Sequence, residues 1–274
     1  MIEIPEAVLL AKQLQQAYGG RTITSIVAEQ THHRFAWYYG DPADYPARFT
    51  GRTVEGAYAY GGKVHLACSG DYLFLFADGT SPRYFAPGAK LPKKHQLDIG
   101  FDDGSHLVCT IRMYGNLRGY PASDVCDYDE IARIRPDVLS DAFDLAYLQS
   151  LYDPSAQKKL SAKGLIATEQ RIPGLGNGCA HDILFHARIH PKRDVSSFDE
   201  EAWRSLCTSV KTTIRQMVEQ GGRDVEKDLY GKPGGYQTVL SKNTYPYPCP
   251  ACGGPITREA FLGGNIYYCA HCQK

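Results

Sequence analysis

Apolar and polar positions change rhythm three times along this chain. After Glu6, Val8, Leu9, Leu10, Leu14 and Ala17 recur at helical spacing, and Gly19-Gly20 ends the run. Short segments rich in Val, Ile, Tyr and Phe follow, each bounded by Gly, Asp or Pro. They predict strands over 22–28, 52–60, 63–68, 72–76, 96–101 and 106–113, with Asp78-Gly79 and Asp102-Asp103-Gly104 as hairpin turns. Regular spacing of this kind suggests a β-sandwich or barrel. Near residue 125 the rhythm becomes helical. Asp129 to Arg135 reads as a short helix or turn, 141–151 as a helix, and 155–220 as mainly helical. Asp199-Glu200-Glu201 opens one helix on its favoured acidic end, and Trp203, Leu206, Val210, Ile214 and Met217 form its apolar stripe. Gly221-Gly222 closes it, and residues 223–248, rich in Gly, Tyr and Pro, read as a linker. The expected class is α+β and multidomain: a helix with a β-sandwich over 1–125, a helical domain over 126–242, and a small terminal module over 243–274.

That module carries the sharpest chemistry. Cys249-Pro-Ala-Cys252 and Cys269-Ala-His-Cys272 are two Cys-x-x-Cys knuckles separated by sixteen residues. Each knuckle offers two thiolates from one tight turn, so together they fit a tetrahedral four-sulfur zinc site. The insert suits a hairpin, with Pro255-Ile256-Thr257 going up, 262–265 turning and Ile266-Tyr267-Tyr268 returning. A finger this small folds only with its metal. Two disulfides are the alternative. The other five of the nine cysteines show no pairing pattern and no leader is evident, which points to a reducing cytoplasm (nucleoid-associated in a bacterium).

Charge adds little. The formal net charge is zero, which argues against a strongly basic nucleic-acid binder. The residues after 154 carry 16 basic and 11 acidic side chains, so the half with the finger is mildly positive. No apolar run is long enough to span a bilayer.

A second motif lies in the helical half. In Pro173-Gly174-Leu175-Gly176-Asn177-Gly178, two glycines allow close approach of a ligand, and Asn177 can cap the helix that follows. Free N–H groups at such a helix start bind anions, most often phosphate. For the short run alone, an ordinary helix-capping turn is the favoured reading.

The longer run resembles a known family. Gly174-Leu175-Gly176-Asn177, then Ile183-Leu184-Phe185 and Ile189-His190-Pro191, is similar to the helix–two-turns–helix segment of the formamidopyrimidine-DNA glycosylase / endonuclease VIII family. The finger with its closing Cys-Gln-Lys, and the start Glu3-Ile4-Pro5-Glu6, resemble that family in the same order. The resemblance implies a glycosylase of base-excision repair that flips a damaged base out of duplex DNA and excises it, with strand cleavage at the abasic site. It implies a zinc cofactor, double-stranded DNA with damaged bases or abasic sites as partner, no membrane, and a monomer. By the same resemblance, Glu3 and Glu6 take catalytic positions, and Lys63, Lys163, Gly176 and Asn177 take DNA-binding ones.

The chain also departs from the family. The family's nucleophile is an N-terminal proline amine, and Ile2 stands there. If Met1 stays, its primary amine lies one residue away and can still form an imine. The finger tip, where the family presents an arginine, reads Leu262-Gly263-Gly264-Asn265, so Arg258 and Asn265 are the candidate DNA contacts. Asp78 lies where an apolar wedge is expected, and 112–118 replaces the family's arginine–phenylalanine wedge, leaving Met113, Tyr114 or Leu117 to intercalate. A glycosylase and a catalytically impaired binder of damaged or abasic DNA therefore both stay open. A finger-bearing protein-interaction module is the remoter alternative.

Overall fold

The computed structural model describes residues 1–124, 132–156 and 159–274. Helix α1 spans Ile4–Tyr18. It begins earlier than its apolar stripe because Pro5 suits a first turn and Glu6 reaches back to accept the Glu3 N–H at 3.3 Å. The strands are β1 (Ile23–Ala28), β2 (Ala36–Trp37), β3 (Val54–Tyr60), β4 (Lys63–Cys68), β5 (Tyr72–Phe85), β6 (Leu97–Phe101) and β7 (His106–Pro121), with a short helix α2 (Tyr45–Phe49) before β3.

The strands join in the order β1-β6-β7-β5-β4-β3, and β2 runs parallel to β7. The long β5–β7 ribbon carries β4 and β3 at one end and β6 and β1 at the other, so one sheet folds over itself as a sandwich. Ile23, Leu66, Phe74, Phe76, Ile99 and Leu107 meet in the core between its layers.

The expected strands 72–76 and 106–113 both continue, to Phe85 and Pro121. Asp78-Gly79 is therefore not a hairpin turn but lies inside β5, where the register with β7 slips by two residues, the surplus falling within 112–114 of β7. Asp78 takes φ 62° there, a left-handed backbone that Asp tolerates. Gly79 is required there, because a Cβ would lie 2.4 Å from the Tyr114 carbonyl oxygen. Asp102-Asp103-Gly104 does turn the chain between β6 and β7.

The second core belongs to α3 (Leu145–Ser150), α4 (Ala162–Ala167), α5 (Asn177–His186) and α6 (Glu200–Glu219). Asp144 and Asp199 cap α3 and α6 by accepting the N–H of Tyr147 and of Ala202. The acidic start and apolar stripe of α6 are as the sequence suggests, and Leu206, Ile214 and Met217 are buried with Phe143, Leu165 and Ile183. Of the expected element at Asp129 to Arg135, residues 132–134 are helical, and 129–131 lie outside the described residues.

Helix α1 serves both cores. Its Leu10 and Leu14 face the sandwich and its Ile4 faces the helices. Residues 223–248 are not a loose linker. Leu229 is buried in the first core and Tyr236 in the second, and Arg223 is 2% exposed. Glycine and proline here shape a closely packed strap across both cores. The finger is a hairpin of β8 (Thr257–Ala260) and β9 (Asn265–Tyr268).

Candidate active site and DNA-facing surfaces

The N-terminal residues thread between the two cores. The Ile2 N–H donates to the Asp78 carbonyl at 2.8 Å, and the Ile4 N–H to the Gly174 carbonyl at 3.0 Å. The sandwich meets the helical half here by backbone contact. A Cβ on Gly174, whose φ is +77°, would come within 1.8 Å of the Gly62 nitrogen. The close approach for which Gly174 is needed is thus to the β3–β4 turn of the same chain.

The start of α5 does bind an anion, but that anion is Glu3. Its carboxylate accepts N–H bonds from Gly176 (3.1 Å), Gly178 (3.0 Å) and Cys179 (2.9 Å), and one from Arg223 Nη1 (3.1 Å). Gly176, not Asn177, is the N-cap residue, and a carboxylate from the other end of the chain supplies the missing acceptor. Burial alone would push Glu3 up, yet Arg223 and the N–H groups of Cys179 and Gly178 outweigh it and hold the carboxyl below its usual range. Glu6 completes a buried triad: it accepts from Arg223 Nε at 3.0 Å and Nη2 at 2.6 Å. Arg223 is held charged despite its burial by the two carboxylates. With four donors on its oxygens, Glu3 anchors the N-terminal segment.

Arg223 is one residue that sequence reasoning missed, and Glu226 beside Met1 is another. Arg223 lies in the stretch read as linker, 220 positions from Glu3. No local pattern marks such a partner, although two carboxylates in the first helical turn of a buried segment do call for one.

Met1 points outward, 43% exposed, and its ammonium lies 2.8 Å from Glu226 Oε1. A cavity of about 180 Å³ opens beside it, lined by Ile2, Glu6, Thr80, Arg83, Arg112 and Glu226 among others. Ile2 is only 7% exposed and its N–H is held on the Asp78 carbonyl, whereas Met1 lines the cavity.

The expected DNA contacts divide. Lys163 is 1% exposed, with its ammonium on the carbonyls of Phe261 and Leu262. It clips the finger to α4 and does not face a phosphate. Lys63, 5% exposed, is likewise buried and already engaged. Asn177 stays partly open at the start of α5, and Arg258 and Asn265 are exposed on the hairpin. Leu117 is fully buried and cannot intercalate, whereas Met113 is 66% exposed. Asp78 is occupied by Asn116 Nδ2 at 2.6 Å.

The four finger sulfurs lie within 4.8 Å of one another, with Cys249–Cys272 at 3.8 Å and Cys252–Cys269 at 3.5 Å. Four Zn–S bonds of about 2.3 Å in a tetrahedron need sulfurs about 3.8 Å apart, so the donor set fits one structural zinc. Gln273 docks the finger by accepting the Cys269 N–H and donating to the Ile189 carbonyl. Burial lowers His181 to about 4, so its neutral ring donates to the Asn265 carbonyl at 3.2 Å.

Known proteins share this architecture. Residues 134–228 match the formamidopyrimidine-DNA glycosylase H2TH domain, and 248–274 match the zinc finger found in FPG and IleRS. A formamidopyrimidine-DNA glycosylase of Vibrio vulnificus is 30% identical over 217 residues, covering 77% of this chain and 74% of its own. The chain belongs to the formamidopyrimidine-DNA glycosylase family. One from Geobacter sulfurreducens is 27% identical across the full length of both chains. The crystal structure of the MutM (Fpg) protein of Thermus thermophilus superposes with a TM-score of 0.79 at 26% identity, over 99% of this chain and 98% of that one. The Lactococcus lactis Fpg in complex with abasic-site DNA shares the fold at a TM-score of 0.85 and 22% identity, over 99% of each chain. Within this formamidopyrimidine-DNA glycosylase family framework, the cavity beside Met1 adjoins the N-terminus, where the resemblance put the chemistry.

Proposed function

We propose that this protein is a damaged-DNA glycosylase of base-excision repair whose nucleophile is the Met1 α-amine. The observation that carries this reading is the primary amine at the mouth of the cavity, 2.8 Å from a carboxylate of Glu226. Glu226 takes the ammonium proton, and the free amine attacks C1′ of the damaged nucleotide. The glycosidic bond breaks, and the base departs with the bonding electron pair and the proton that Glu226 returns. Transfer of a proton from the attacking nitrogen to O4′ opens the sugar ring and gives an imine to Met1, from which elimination cuts the strand. Glu3, Glu6 and Arg223 hold the segment that presents the amine. A cavity of about 180 Å³ has room for one planar ring, since apolar cavities of about 150 Å³ bind benzene. Arg258, Asn265 and Asn177 supply contacts to DNA.

A second reading is a binder of damaged or abasic DNA without chemistry. The saturated Glu3 carboxylate favours it, because no proton carrier remains at the family's acidic position.

A gel assay separates the two on labelled duplexes bearing an abasic site, 8-oxoguanine, a formamidopyrimidine or thymine glycol, with and without hot alkali and borohydride. Strand cleavage with a trapped adduct supports the amine mechanism. Cleavage only after alkali means base release by another nucleophile. A mobility shift with intact DNA supports the second reading.

A further inference from the structure

An aromatic strip runs outward from Met1. Tyr114 Oη lies 4.0 Å from Met1 Sδ, and the Tyr114 ring is 5.9 Å from that of Trp37 with planes 55° apart. Trp37 sits in β2, paired with Asn116 of β7. Its neighbour Ala36 packs on the core, so Phe35 and Trp37 fall on the opposite face, 47% and 43% exposed. Met113, 66% exposed, lines the cavity at the Met1 end, and Arg34, whose guanidinium lies 5.2 Å over the Phe35 ring, flanks the strip. A tryptophan left this open adds little to the core, and contiguous exposed apolar side chains mark a contact surface.

The chemistry of the strip selects its occupant. Aromatic faces interleaved with arginine suit a nucleobase face. The Asp78 carboxylate, on Asn116 next to β2, repels phosphate and so disfavours backbone contact. We propose that Trp37, braced by Tyr114, is a stacking platform for an unpaired base beside the nucleotide processed at Met1. This rests on the DNA reading above and extends it to a residue outside the reacting group.

The chain has two tryptophans, and the other, Trp203, is 8% exposed in the helical core. In a Trp203→Phe protein, Trp37 alone reports. Titration with a duplex containing a stable abasic-site analogue should quench its fluorescence, and the intact duplex of the same sequence should do so far less. Trp37→Leu should bind the abasic duplex roughly five- to 150-fold more weakly, the range that loss of one base stack gives. Its slope of log affinity against log salt should be unchanged, because phosphate contacts set that slope. Unchanged fluorescence on a duplex that a mobility shift shows to be bound, or wild-type affinity in Trp37→Leu, would overturn the platform while leaving the DNA reading intact. Failure to bind any duplex at low salt would sink both.

Discussion

Replacing Arg223 by methionine removes the cation from a buried site and leaves two carboxylates behind. Arg223, Glu3 and Glu6 are 2%, 5% and 5% exposed, so water cannot replace the lost donors without opening the structure. Glu6 loses the Nε and Nη2 bonds, and Glu3 loses only Nη1, keeping three backbone N–H donors. Breaking a buried ion pair from one side costs about 3–5 kcal/mol. The low end applies here, because Glu3 remains largely satisfied. About 3 kcal/mol lowers the melting midpoint of a protein this size by roughly 6–12 °C. The pH dependence gives the sharper test. In the native protein the folded pKa of Glu3 is depressed, so its contribution is complete above the unfolded value and is lost as pH falls through the folded one. Without Arg223, the burial that dominates its surroundings pushes Glu3 up, and acidification relieves the variant. Urea unfolding at pH 7 and pH 5 should therefore show a deficit that shrinks at the lower pH. A loss under about 1 kcal/mol at pH 7, or a deficit that grows on acidification, would refute the reasoning.

Three further outcomes follow from the same contacts. Chelation should release one zinc and four reactive thiols per chain and abolish DNA binding, while far-UV circular dichroism keeps the helical and β signals of the two larger units. Lys163→Met leaves the Phe261 and Leu262 carbonyls without their shared donor, so the finger should become protease-sensitive before the rest of the chain, as limited proteolysis would show. Burial raises Asp182 to about 6, so the folded protein holds a proton there that the unfolded chain gives up. Stability should then fall as pH rises from about 4 to about 6, and Asp182→Asn should flatten that slope in urea titrations.

The parts legible in the sequence were those in which neighbours along the chain decide the structure. The knuckles at Cys249 and Cys269, the stripe of α6 and the whole of β4 depend on spacings of two to sixteen residues. What escaped was set by partners far apart. Asp78-Gly79 meets the local requirements of a turn, and only β7 bulging alongside keeps it inside a strand. The turn at Gly176 reads correctly as an anion site, but nothing nearby announces that Glu3 fills it. Arg223 hid in a glycine-rich stretch whose composition suggests slack chain, while two cores packed on it from either side. The family resemblance makes Lys163 a phosphate contact, whereas here the Phe261 and Leu262 carbonyls of the finger hold its ammonium.

The central claim is that the Met1 amine is the reacting group. It is tested most directly by borohydride trapping on an abasic-site duplex, followed by peptide mapping of the adduct. The account expects one covalent complex per chain with the sugar on the Met1 nitrogen, sharply reduced in Glu226→Gln. A protein that binds the duplex and yields no adduct, or an adduct mapped to a lysine side chain, would contradict it.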